Sequence, residues 1–211
     1  MPQGKAFAAV TLAVALISGC GSANSVSRLP DGDYLFRSKR GNFTCVAPSF
    51  ARSGKPSVET YEGDNTFVEF SGAYGELLRI ECSPIPPEYA ARVAVTDRHT
   101  LLDGMFDRVL MPAEFLRASP SAHVVRREYV DTAAGAALFC VVEIPGGSTL
   151  AESVNGSPYS RPDSTRGVLL FITHGYAYTL GNQELREPFK DSQDRLLDDL
   201  NGVVAKMTFQ G

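Results

Sequence analysis

Apolar and polar positions change period repeatedly along the 211-residue chain, and each change marks an element. Ala6 to Ile17 is uncharged and apolar with no strand or helix period, and small residues Ser18 and Gly19 follow it. Residues 34 to 37 and 43 to 47 read as two strands joined around Lys39-Arg40-Gly41. Residues 48 to 65 hold Pro48, Gly54, Pro56, Gly63, Asp64 and Asn65 and read as loop. A second hairpin runs from Thr66 to Phe70 and from Leu77 to Cys82. In its second arm Leu78, Ile80 and Cys82 alternate with Arg79 and Glu81, the period of a half-buried strand. Pro84-Ile85-Pro86-Pro87 ends it.

Helical spacing then takes over. Thr96 or Asp97 caps a helix on which Leu101, Leu102, Met105, Phe106, Val109 and Leu110 recur, with Pro112 expected to end or kink it. A third hairpin pairs residues 123 to 130 with 136 to 144, and a fourth pairs 168 to 173 with 176 to 180 around His174-Gly175. Between them lies a polar stretch, residues 145 to 166, longer than a connection needs and so either a binding loop or a disordered excursion. A last helix from about Asp191 carries Leu196, Leu197, Leu200, Val203 and Val204 on one face, before an extended Met207-Thr208-Phe209. The sum is an α+β fold, a mostly antiparallel sheet of about six to eight strands with two amphipathic helices packed on it. No internal repeat is visible.

Charge narrows the partners. Twenty Lys and Arg face 24 Asp and Glu, a formal net charge of −4, so no basic excess exists to hold a nucleic acid. The N-terminus is more telling. Lys5, the apolar run and the small residues form the three-part plan of a secretory signal. Twelve helical residues rise only about 18 Å, short of the roughly 30 Å hydrocarbon core that a permanent span must cross.

The end of that run, Ile17-Ser18-Gly19-Cys20, resembles the bacterial lipobox: an aliphatic residue, two small residues and a cysteine. The resemblance implies that the Cys20 thiol receives a diacylglyceryl group, that a signal peptidase cuts between Gly19 and Cys20, and that the new amino group is acylated, with palmitate or a similar chain. Chemistry agrees with the need for cysteine, since its thiolate is the soft nucleophile that takes a lipid as a thioether. Several acyl chains hold firmly, at about 0.8 kcal/mol per buried methylene. The competing account is an ordinary secretory signal with Cys20 incidental. Gly21 after the cysteine would permit transport to the outer membrane, facing the periplasm, in a Gram-negative host. The expected organisation is a signal peptide over 1–19, a flexible tether over 20–33 rich in small and polar residues, and one domain over 34–211.

YLFRSKRGNFTCVAPSF near the start, GVLLFITHGYAYTLG and a final helix with MTFQ resemble, across roughly Tyr34 to Gln210, the PsbP-like superfamily. That family takes in extrinsic photosystem II subunits, a nuclear-import factor and bacterial lipoproteins. The resemblance implies an accessory binding or assembly subunit, although a fold does not fix a function.

Candidate chemistry is sparse. Cys45, Cys82 and Cys140 are in phase with apolar neighbours and are expected to point inward; in an exported, oxidising setting Cys45 to Cys82 is the preferred disulfide, with the other pairings open. His99, His123 and His174 lack metal-ligand spacing, and His174 in a turn reads as a surface residue. Asp191, Asp194, Asp198 and Asp199 with Glu184 and Glu187 could hold calcium, but Arg186, Lys190 and Arg195 are interleaved and a solvated helix face explains them better. Tyr159, Tyr176 and Tyr178 make a candidate recognition surface, for which ordinary sheet packing of Tyr176 and Tyr178 is an equal account. No catalytic set, metal or cofactor is called for. The expectation is a lipid-anchored cell-envelope lipoprotein acting as a non-catalytic interaction or assembly module on an unknown envelope protein or ligand. The alternatives are a small-molecule or peptide binder using residues 145–166, and an unrecognised envelope hydrolase.

Overall fold

The computed structural model describes residues 25–38, 42–47, 56–63, 65–72, 75–85, 90, 93, 96–147, 163–184 and 190–210. Among these described residues eleven strands form two antiparallel sheets. The smaller has the order β1-β2-β3-β11, built from Ser25–Arg28, Tyr34–Arg37, Phe43–Ala47 and Thr208–Phe209. The larger runs β4-β5-β6-β10-β9-β8-β7, from Ser57–Glu62, Thr66–Ser71, Leu77–Pro84, Tyr176–Glu184, Ser164–Thr173, Gly135–Ile144 and His123–Thr132 respectively. Helix α1, Arg98–Met105, passes without a break into a π-helix, Phe106–Leu116, and helix α2 spans Lys190–Ala205.

The molecule is layered because the central strands are apolar on both faces. In β8, Ala137, Phe139 and Val141 enter one core while Leu138, Cys140, Val142 and Ile144 enter the other; in β9, Leu169 and Phe171 oppose Val168, Leu170 and Ile172 in the same way. The first core is closed by Tyr34, Phe36, Phe43 and Cys45 of the small sheet and by Leu196, Leu200, Val203 and Val204 of α2. The second is closed by Leu102, Phe106 and Phe115 of α1 and the π-helix. Each such side chain taken fully out of water contributes about 1.5–3 kcal/mol. The large sheet is therefore a middle layer, and the fold is α+β in one described body with two cores.

Strand β7 ties both outer layers down through consecutive arginines that point to opposite faces. Arg126 donates to Asp194 of α2 at 2.6 Å and to Glu128 at 2.7 Å, and lies over the Phe139 ring. Arg127 donates to Asp103 at 3.3 Å, is paired with Asp107, and lies over the Phe106 ring. Tyr129 donates to Asp103 as well and stacks on His99.

Several expectations change. Eleven strands replace six to eight, and one sheet becomes two, because short pieces that lack an apolar run are recruited as edges: β4, expected as loop, has an exposed outer edge, and β1, expected inside the 20–33 tether, pairs with β2. Asp97 is the cap, accepting from the Thr100 N–H at 3.0 Å. Pro112 does not end the helix but lies inside the π-helix. In an α-helix its ring would meet the carbonyl of Arg108; the wider π winding relieves that clash.

Candidate functional site

The expected site residues disperse. Gly19, Cys20 and Tyr159, with residues 148–162 of the polar stretch, lie outside the described residues. Tyr178 does not form a recognition surface: it is fully buried, stacked on Phe171 with ring centroids 5.3 Å apart, edge-on to Phe43, and its hydroxyl donates to the Asn42 carbonyl at 3.3 Å. Only Tyr176 of that pair is partly exposed, packed at the margin of the first core.

The cysteines point inward as expected, but into different cores: Cys45 and Cys82 into the first, Cys140 into the second. The expected Cys45–Cys82 disulfide is not formed, and all three thiols are free and buried. The Cys82 sulfur instead accepts from Asn42 Nδ2 at 3.1 Å and faces the Tyr178 hydroxyl, so local partners occupy it. Burial pushes the Cys45 and Cys140 thiols up to about 12, with Arg127 offsetting part of the effect at Cys140, and the Cys82 thiol up to about 11. Protonated sulfur at neutral pH is a poor nucleophile.

Each histidine is committed locally. His174 sits at φ 50° beside Gly175 at φ 78°, the left-handed pair of a tight hairpin turn, and its ring stacks over Phe209. His123 approaches the Ser121 carbonyl at 3.1 Å and Glu143 at 3.4 Å, and His99 lies on Tyr129. Among the described residues no cluster of three His, Cys, Asp or Glu side chains could hold a metal ion, and no helix is long and apolar enough to cross a membrane.

What the fold does assemble is a cleft on the α1 side of the large sheet, where the covered apolar face gives way to a charged one. Its floor is Leu77, Arg79 and Glu81 of β6, Thr179 and Gly181 of β10, and Arg166 and Val168 of β9; its wall is Leu110, Glu114 and Phe115 of the π-helix. It is an open, shallow cleft: the roughly 420 Å³ within its walls is mostly solvent at the mouth, and the enclosed room is about 40 Å³, enough for a few ligand atoms and not for a whole small molecule. Arg166 and Gln183 are cross-strand partners at the strand ends that flank residues 145–163. Gln183 donates to the Gly75 carbonyl at 3.0 Å and accepts from Arg166 Nε at 3.0 Å, which fixes the guanidinium plane. Desolvation pulls the Arg166 pKa below its ordinary value, partly countered by the fields of Glu69 and Glu114, while Arg79 adds to the depression. Arg79 is itself paired with Glu81 at 3.3 Å and Glu69 at 3.7 Å and lies over Phe67, and Glu81 also accepts from Asn65. Gly181 keeps the floor low: a Cβ there would meet nothing nearer than the Gly167 carbonyl at 3.8 Å.

No motif marked this cleft. The only trace in the sequence is the polar alternation of Arg79 and Glu81, and Arg166 is the last residue of the polar stretch.

No family model matches the chain, and no curated protein matches it. Solved structures similar to it include the solution structure of cyanobacterial PsbP, CyanoP, from Synechocystis, with 14% identity, a TM-score of 0.43, and 92% of this chain and 95% of that chain covered. A Bacteroides thetaiotaomicron protein has 9% identity and a TM-score of 0.38, over 81% of this chain and 46% of that one. LpqN, involved in cell envelope biogenesis of Mycobacterium tuberculosis, has 13% identity and a TM-score of 0.32, over 92% of this chain and 88% of that one.

Proposed function

We propose that this chain is a bacterial envelope lipoprotein, held to a membrane by acyl chains on Cys20, whose folded domain works by binding rather than by catalysis. The observation that carries the reading is Ile17-Ser18-Gly19-Cys20 directly behind twelve uncharged residues and Lys5. In a Gram-negative host the address is the periplasmic face of the outer membrane. A binding role is supported by the commitment of the reactive side chains: the thiols are protonated in two cores, and the histidines are held by turn, ring and carboxylate contacts. The sequence resemblance to PsbP-like accessory subunits points the same way.

Labelled palmitate fed to producing cells should enter the wild-type chain and not Cys20→Ser, which should accumulate as an uncleaved or mislocalised precursor. Label in the variant, or a mature product that washes from envelopes without detergent, refutes the anchor.

A second reading, that the domain binds a small ligand, is favoured by the cleft, because its Arg166 lies near the start of β9, close to the strand ends that bound the polar stretch.

A further inference from the structure

We propose that the cleft between the π-helix and β6, β10 and β9 binds the carboxylate of a ligand with a short apolar body, clasped by the two Nη groups of Arg166. The proposal deepens the second reading above and rests on it.

The argument starts from what each charge already does. Glu69 and Glu81 are engaged by Arg79, and Glu81 by Asn65 as well, so that corner of the cleft is internally satisfied. Arg166 is different. Its Nε is spent on Gln183, and among the described residues its Nη groups meet no acceptor at hydrogen-bond distance. A guanidinium tethered by Nε and sunk in a cleft presents its Nη edge as a planar fork, the geometry that matches two carboxylate oxygens. A cation that has lost much of its water gains more from an incoming anion than an exposed one does. Beside the fork lie Leu77, Leu110, Phe115 and Val168, which suit a few methylenes, and Gly181 leaves the space for them.

Glu114 is the opposing charge. It lines the same cleft and its field reaches Arg166, yet it makes no ion pair among the described residues. A bound carboxylate must tolerate it, which predicts that removing this charge strengthens binding. A site built for a cation would show the reverse. The carboxylate could belong to a free small acid or to a peptide C-terminus.

The test is titration of the full chain, in one detergent throughout, with hexanoate, hexanol and hexylamine, following the Arg166 and Arg79 Nε–H resonances and, for every variant, saturation transfer to the ligand's own protons by NMR. Hexanoate should shift Arg166 with a dissociation constant of order 1 mM, as befits so few atoms, and hexanol and hexylamine should not. Arg166→Met should weaken binding roughly tenfold or more. Gly181→Val, which fills the floor and leaves Arg166 in place, should weaken it to a similar extent. Glu114→Gln should tighten it by about threefold. A tripeptide ending in leucine that binds more tightly with a free than with an amidated C-terminus, and more tightly than hexanoate, supports a peptide source; the opposite order between the two acids supports a free one. Absence of any hexanoate shift, retention of binding by both cleft variants, or a preference for hexylamine overturns the proposal. Palmitate on Cys20 without a hexanoate shift would leave the anchor standing and remove the cleft.

Discussion

Replacing Gly167 by alanine tests how α2 is docked on the large sheet. Gly167 lies on β9 opposite Asn182 of β10 and Val141 of β8, and a Cβ there would stand 2.6 Å from Asn182 Oδ1, 3.0 Å from Leu196 Cβ and 3.4 Å from a ring carbon of Phe139. None of the three yields readily. Asn182 is buried and donates to the Leu196 carbonyl at 3.1 Å, so turning its amide sacrifices a bond that holds α2 to the sheet. Leu196 and Phe139 are buried in the first core. Overpacking of this kind costs about 1–3 kcal/mol, and the entropy an alanine removes from the unfolded chain returns about 0.4–1 kcal/mol. The net expectation is a loss of about 1–2 kcal/mol, which in a chain of this size lowers the melting temperature by roughly 2–8 °C. Gly202→Ala is the matched control. It lies exposed on α2 itself, an added Cβ meets nothing within 4 Å, and the better helix propensity should raise stability by up to about 1 kcal/mol. Urea unfolding followed by far-ultraviolet circular dichroism measures both. Equal or greater stability of Gly167→Ala would refute the close approach, and with it the account of why β9 carries a glycine where α2 crosses.

Two further predictions concern the cores and the acid limb. Iodoacetamide at pH 8 should leave Cys45, Cys82 and Cys140 unmodified in the folded chain and alkylate all three in urea, since burial holds their thiols at about 12, 11 and 12; mass spectrometry reads the result, and labelling before unfolding contradicts it. Asp107 is held below its ordinary carboxylate range chiefly by its hydrogen bond from Arg127. A depressed acid contributes stability that is present above the unfolded pKa and fades as pH falls through the folded one. Asp107→Asn should therefore be less stable at pH 7 by at most about 1 kcal/mol for so exposed a pair, with the difference from wild type closing below about pH 4; a difference that persists at pH 2 contradicts the assignment.

Long apolar periods were the legible part of the fold. The second arm of the third hairpin, both arms of the fourth, the helix bearing Leu196 and Leu200, and the strands at Tyr34 and Phe43 stand where their patterns place them, because each has a face that only burial satisfies, while β7 follows from a strict alternation of exposed and half-buried residues. The missed elements, β1 and β4, are exposed or half-buried along their whole length. Their reason for being strands is the open edge of a neighbour, which is information held elsewhere in the chain. The disulfide expectation failed for a related reason. Cys45 and Cys82 do enter the same core, but inward phase says only that a thiol is buried, not which atoms it meets there, and not that an asparagine at position 42 would bond the Cys82 sulfur.

The cleft could not have been read from spacing, and the reason is physical. Its side chains come from β6, β9, β10 and the π-helix, and what makes Arg166 stand out is not the residue but the order in which its neighbours are satisfied. Gln183 takes Nε, Glu69 and Glu81 take Arg79, and among the described residues the fork is what remains. The same sequence with glutamine and arginine exchanged across β9 and β10 would keep its composition and its alternation while turning the fork onto the other strand. Periodicity reports the face on which a residue lies; only the completed hydrogen-bond inventory reports which donors are left over. In this fold that remainder lies at the third residue of β9, beside the strand ends that bound the polar stretch, and that is why the proposed carboxylate site is placed at this end of the sheet.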